Sequence, residues 1–168
     1  MKIFHPTLYL EKASQLTLEQ LAALGVRGLI LDIDNTLTTH GNPVPDPEIL
    51  LWLEEMKKAG IKMVILSNNY PSRVKPFAEA LGLGYKAGAA KPLTYGFRRA
   101  SKALGVAKRE IAIVGDQVFT DVLGGNIYKI KTVLVKPILL EKSLYFSTKR
   151  GIENKILKSY LKRLEVTE

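Results

Sequence analysis

An α/β fold, with a parallel sheet covered by helices on both faces, is what this chain of 168 residues predicts. Three observations carry the prediction. Short apolar runs bounded by turn residues read as buried strands. Stretches of helical period, with their own start and stop residues, lie between them. The two kinds alternate along most of the chain, the pattern of parallel α/β sheets, whose ligands sit where the strands end.

Taken in order, Thr17 opens the first helix, because Gln20 can complete a capping box and Gly25 can end a short helix. Gly28 to Ile33 is an apolar run of bounded length and reads as a buried strand. Asp46 and Pro47 supply an N-cap and a proline at the first helical position, and Leu50, Leu51, Leu53 and Met56 follow before Gly60 closes the helix. IKMVILS, from Ile61, is the next strand. A helix is expected from Pro71 to Leu81, with Pro76 kinking or breaking it. A short strand near Leu83 to Lys86, a helix from Pro92 to Leu104 ended by Gly105, a strand in EIAIVGD from Glu110 and another from Lys131 to Val135 complete the series.

With 46% hydrophobic and 24% charged residues, the chain suits a single domain with a substantial core. Its periodic part runs over about residues 17–137, and a basic extension follows over about 138–168. Lys and Arg outnumber Asp and Glu by 25 to 16, a formal charge of +9 that draws phosphates, anionic lipid headgroups or nucleic acid. The lack of cysteine excludes disulfides, thiolate metal sites and cysteine nucleophiles, and it fits a reducing compartment, with the cytoplasm as the default. The first residues are too short of apolar length for a signal peptide, and no stretch approaches the ~18 apolar residues of a membrane span.

Polar residues recur at four strand ends: Asp32 and Asp34, then Ser67 in ILSNN, then Lys91 in GAAKP, then Asp116 and Asp121 in IVGDQVFTD. Singly, each has a plain structural explanation, since acids after strands cap helices or form turns and most Lys are solvated. Together they place a carboxylate nucleophile, a second acid, a hydroxyl donor, a cation and metal-binding carboxylates at one sheet edge. Rival readings fail on spacing. An EF-hand loop starting at Asp32 would need Gly where Leu37 stands and Glu where Pro43 stands. GLGYKA follows a helix where a dinucleotide turn must follow a strand, and there is no P-loop motif. Neither His5 nor His40 has a catalytic or metal-ligand spacing, so His40 reads as loop.

These residues resemble the haloacid dehalogenase-like hydrolases, whose first motif is an apolar strand followed by D-x-D-x-T. LILDIDNTL matches it through Asp32, Asp34 and Thr36; ILSNN is similar to the second motif, AKP to the third and VGDQVFTD to the fourth. The DNTLT loop, SNN and the whole length further resemble the capless subclass IIIA, YqeG-type, related to phosphatidylglycerophosphate phosphatases. The resemblance implies a Rossmann-like three-layer sandwich without a cap domain, and phosphomonoester hydrolysis, since dehalogenases lack the second acid and transport ATPases carry a D-K-T-G-T that is absent here.

By the same resemblance Asp32 is the nucleophile that forms an aspartyl-phosphate, and Asp34 protonates the leaving oxygen and later takes a proton from water. Ser67 and Asn68 bind the phosphate, Lys91 neutralises charge on it, and Thr36 and Asp121 support. Carboxylates gathered this closely repel by a few kcal/mol per pair at ~4 Å, so an ion is required, and hard oxygen donors suit Mg2+. The family pattern implies that the Asp32 and Asp116 carboxylates and the Asp34 backbone carbonyl hold it.

The spans between the first three motifs are filled by single helices and strands, too short for a folded insert of roughly 50 residues. An open, basic site suits a large or surface-held phosphate: a lipid headgroup, a nucleic-acid end or a phosphoprotein. In the tail, Ile152, Ile156, Leu157, Tyr160, Leu161 and Leu164 share one side of a helical wheel, with Lys155, Lys158 and Lys162 opposite. This helix either packs on the sheet or docks on an anionic membrane. A rival reading of another class is a basic RNA or ribonucleoprotein scaffold that works by charge alone; the lack of an aromatic-rich nucleic-acid motif counts against it.

Overall fold

The chain's structure, a computed structural model, describes residues 2–139 and 144–165, and for residues 144–150, 164 and 165 only their place in the last helix. Six strands, β1 (Leu8–Leu10), β2 (Gly28–Leu31), β3 (Lys62–Leu66), β4 (Gly84–Lys86), β5 (Ile111–Gly115) and β6 (Lys131–Val135), form one sheet in the order β1-β6-β5-β2-β3-β4. Every pairing is parallel. The central strands are buried throughout, as parallel sheets covered on both faces require.

Side-chain alternation along the strands sorts the core into two layers. Leu29, Leu31, Ile65, Ala112 and Val114 face one side, where α1 (Leu18–Ala23), α2 (Pro47–Lys58) and α3 (Pro71–Ala80) bury Leu21, Trp52, Met56, Val74 and Phe77 against them. Ile30, Val64, Leu66, Ile111 and Ile113 face the other, against Phe97, Ala100 and Leu104 of α4 (Thr94–Leu104). Gly105 ends α4 in the left-handed conformation, the role its position in the sequence suggested. The Thr17–Gln20 capping box is formed as expected. No domain is inserted between the strands, so the carboxyl edge of the sheet lies open, and no described helix is long and apolar enough to cross a membrane.

Several expectations need correction. Strand β2 stops at Leu31, two residues early, because the Ile33 carbonyl turns to accept the N–H groups of Thr36 and Leu37 at 3.1 and 2.8 Å; Ile33 is nonetheless fully buried. Pro76 does not break the assigned helix: α3 runs through it, losing one ladder bond while Val74, Phe77 and Ala78 anchor the helix on either side. The sheet extends beyond the expected core of 17–137, since β1 pairs with β6 from Leu8. A π-helical turn (Val118–Val122) and α5 (Leu123–Tyr128) occupy a stretch that carried no helical signal. The final helix α6 (Leu144–Glu165) packs with Tyr160 buried and Ile156 and Leu157 against Val118, Val122 and Leu134, while Ile152 and Leu161 are exposed. Its assumed apolar stripe also misses Glu153, which is buried and accepts the Val118 N–H at 2.9 Å; the Leu164 side chain lies outside the described residues.

Candidate active site

Register brings the first and fourth motifs together. Leu31 pairs with Val114 across β2 and β5, and the Asp32 N–H donates to the Val114 carbonyl at 3.0 Å, so Asp32 and Asp116 leave neighbouring central strands side by side. The π-helical turn then carries Asp121 back over the end of β5. Gly115 leaves room for it, since a Cβ there would overlap the Asp121 carboxyl. Asp32, Asp116 and Asp121 are all buried, and each offers a carboxylate oxygen within 4.8 Å of the others.

One buried cation enters this cluster. The Lys91 ammonium donates to Asp32 Oδ1 at 2.8 Å and to Asp121 Oδ1 at 2.6 Å. It comes from the third motif on a segment hung from the second: Ser67 N–H donates to the Lys86 carbonyl and Ala89 N–H to the Ser67 carbonyl, both at 3.0 Å. Asn68 completes the attachment, accepting the Lys91 N–H on Oδ1 at 2.7 Å and donating from Nδ2 to the Lys91 carbonyl at 3.2 Å. Its amide, expected on the phosphate, is thus also bonded to the Lys91 backbone, and the residue lines the cleft.

Burial pushes the Asp32 carboxyl up to about 6, with the Asp121 charge adding to the rise and Lys91 opposing it. Burial pulls the Lys91 ammonium the other way, but Asp121 and Asp32 outweigh it and hold its pKa above the ordinary lysine value. Three carboxylates against a single ammonium leave a deficit of positive charge. A trio of hard oxygen donors within reach of one another fits a divalent ion of the Mg2+ kind.

Asp34 has different surroundings. The turn after Ile33 is closed by the Asn35 N–H donating to the Thr38 carbonyl at 2.7 Å, with Asn35 at φ 61°. The Asp34 carboxylate accepts from Gly41 N–H at 3.0 Å and Arg73 Nη2 at 3.0 Å on Oδ1, and from Asn69 Nδ2 on Oδ2. His40, read as plain loop, stands 4.0 Å from the same Oδ1.

A cleft of about 130 Å³ opens at this edge, lined by Asp32, Asp34, Ser67, Asn69, Lys91 and Thr120 among others. Ser67 is buried beneath it, its hydroxyl accepting the Asn69 N–H at 3.1 Å. Thr36 is buried and lines a neighbouring cavity beside Ala13 and Glu48. Asn69 and Arg73 were missed in the sequence. Asn69 stands beside the second motif and Arg73 in the first turn of a helix, where an arginine carries no signal of its own.

Comparison with known proteins agrees with this geometry. Residues 41–126 match the family described as haloacid dehalogenase-like hydrolase. The chain is 40% identical over 162 residues to "Probable phosphatase YqeG" of Bacillus subtilis, covering 96% of this chain and 94% of that one. It is 26% identical over 155 residues to "Phosphatidylglycerophosphate phosphatase 1, chloroplastic/mitochondrial" of Arabidopsis thaliana, covering 86% of this chain but only 44% of that longer protein. Among solved structures, an uncharacterized protein from Listeria monocytogenes shares the fold with a TM-score of 0.57 at 22% identity, over 70% of this chain and 85% of that one.

Proposed function

From a chain that belongs to the haloacid dehalogenase-like hydrolases, we propose a phosphatase that depends on a divalent ion and forms an aspartyl-phosphate on Asp32. The observation that carries this reading is the buried set of Asp32, Lys91, Asp116 and Asp121 at the open end of β2 and β5. Hydrolysis of phosphate monoesters is so slow unaided that nucleophile, proton donor and neutralising charge must act together.

Asp32, at the end of a rigid central strand, attacks phosphorus in line. The bond to the leaving oxygen breaks as the bond to an Asp32 oxygen forms. Asp34, at the mouth, gives its proton to the leaving oxygen and afterwards takes one from the water that cleaves the acyl phosphate. Lys91 offsets charge on the transferring group, and the Ser67 hydroxyl donates to a phosphoryl oxygen. Asn68 positions Lys91 through its backbone. Asp32, Asp116 and the Asp34 backbone carbonyl would hold Mg2+ with Asp121 behind them; when bound, the ion supplies the positive charge that the carboxylates lack and draws a phosphoryl oxygen. Residues 1–168 act as one domain in this reading.

The open cleft and the +9 charge favour a large or surface-held phosphate. We take phosphatidylglycerophosphate as the leading substrate, supported by the Arabidopsis relative, with a nucleic-acid end or a phosphoprotein as the rival. The exposed Lys155, Lys158 and Lys162 of the packed α6 would then face an anionic bilayer, a contact at the membrane surface and not across it.

The deciding experiment is a panel of phosphatidylglycerophosphate, sugar phosphates, nucleotides and a 3′-phosphorylated oligonucleotide, assayed with Mg2+ and with chelator. Asp32→Asn serves as the blank and is expected to abolish turnover. Undiminished activity in that variant would sink the mechanism, and turnover of another substrate without the lipid would overturn the substrate.

A further inference from the structure

Arg73 and Asn69 lie on and just before α3, far from Asp34 in the chain, and both bind its carboxylate. Arg73 Nη2 is shared between Asp34 Oδ1 at 3.0 Å and the Asn42 carbonyl at 2.8 Å, so one guanidinium ties the acid and the loop over it to the helix. The guanidinium carbon sits 5.3 Å from the ring centroid of Phe77, a core residue, which makes the tether rigid. Four donors or near donors thus surround a side chain that only its own turn would otherwise orient.

The two carboxylate oxygens are not equivalent. Oδ1 accepts from Gly41 and Arg73, while Oδ2 has Asn69 as its hydrogen-bond donor among the described residues. Asn69 lines the cleft and Arg73 does not. Oδ2, held by a residue that lines the cleft, would then be the oxygen that carries the proton to a bound ester.

Resting on the phosphatase reading above, we propose that Arg73 and Asn69 are positioning residues for proton transfer: together they hold Asp34 so that Oδ2 faces the leaving oxygen. Among the described residues no inserted domain covers this edge to press a substrate against the acid, so its own neighbours must orient it. Misplacement of a catalytic group by about 1 Å costs on the order of a hundredfold in rate. Their contribution falls on leaving groups that need a proton and not on those that depart without one.

The test compares kcat/KM, which reports phosphoryl transfer from the ester, for p-nitrophenyl phosphate and for a simple alkyl phosphate in the presence of Mg2+. Arg73→Gln and Asn69→Ala should each lower the alkyl ester by roughly ten- to a hundredfold, a part of the roughly 10²–10⁴-fold that general acid catalysis supplies, and the aryl ester by less than about threefold. In an Asp34→Asn background neither change should add a further loss, since the group they orient is gone. Equal losses on the two esters, or full additivity with Asp34→Asn, would show a merely structural staple and overturn the proposal. If Arg73→Gln does not fold, Asn69→Ala alone carries the same pair of outcomes. If only the lipid, itself an alkyl ester, is turned over, the additivity test with Asp34→Asn is read on that substrate; a native chain that hydrolyses none of the three removes the phosphatase reading, and the proposal goes with it.

Discussion

Asp32 and Asp34 stand two residues apart, yet one is held by the sheet and the other by distant side chains. Asp32 sits in a buried cluster built by strand register and by Lys91. Asp34 sits at the partly buried mouth, tethered by residues 35 and 39 positions away in the chain. The inner half of the cleft is therefore part of the folding core, while the outer half is attached to it. Damage to the inner half should appear in stability as well as rate, and damage to the outer half chiefly in rate.

The largest expected effect is at Lys91. Replacing it with Ala leaves three buried carboxylates with no ammonium among them, and removing one partner of such a set costs about 3–5 kcal/mol. Thermal unfolding should show this loss, with hydrolysis reduced to background. Mg2+ should raise the unfolding midpoint of Lys91→Ala more than that of the native chain, because the ion then supplies the missing charge. A midpoint insensitive to Mg2+ in both proteins would break the claim that the carboxylates form a metal site.

Gly115→Ala comes next. Its Cβ would overlap the Asp121 carboxyl, whose Oδ1 is bound by Lys91 and whose Oδ2 accepts from Gln117 N–H at 3.2 Å. Displacing that side chain should cost about 1–3 kcal/mol, as overpacking does, and weaken Mg2+ affinity in a calorimetric titration. Unchanged affinity would place Asp121 outside the ion's surroundings.

The same contrast explains what could be read from the sequence. Motif letters mark the inner half because parallel strands end on the same edge: an apolar run ending in Asp32 and another ending in Asp116 put both acids there, and the β2–β5 pairing makes them neighbours. Strands β2, β3, β5 and β6 and helices α2 and α4 were legible for the same reason. Strand β1 was not, since Leu8 to Leu10 is three residues at the edge of the sheet, paired with β6. The bonds of the Asn68 amide to the backbone of residue 91 were not legible, because they depend on a loop path that no local pattern encodes. Glu153 shows the limit of the helical wheel, which places an acid on the surface unless a buried N–H is known to await it.

At the outer half the smallest effect is expected from Thr38→Val. The Thr38 hydroxyl donates to the Val44 carbonyl at 2.8 Å and fastens one end of the loop that Arg73 holds at Asn42. Valine keeps the shape of threonine, and Val44 is exposed, so water can take over the carbonyl. The net loss should be about 0.5–1.5 kcal/mol by chemical denaturation, the usual worth of one hydrogen bond. Because Gly41 in that loop donates to Asp34, the alkyl-ester kcat/KM should fall a few-fold while the aryl ester holds. A loss of stability comparable to that of Lys91→Ala would mean that the mouth is as deeply built into the fold as the acid cluster, and the division between the two halves would fail.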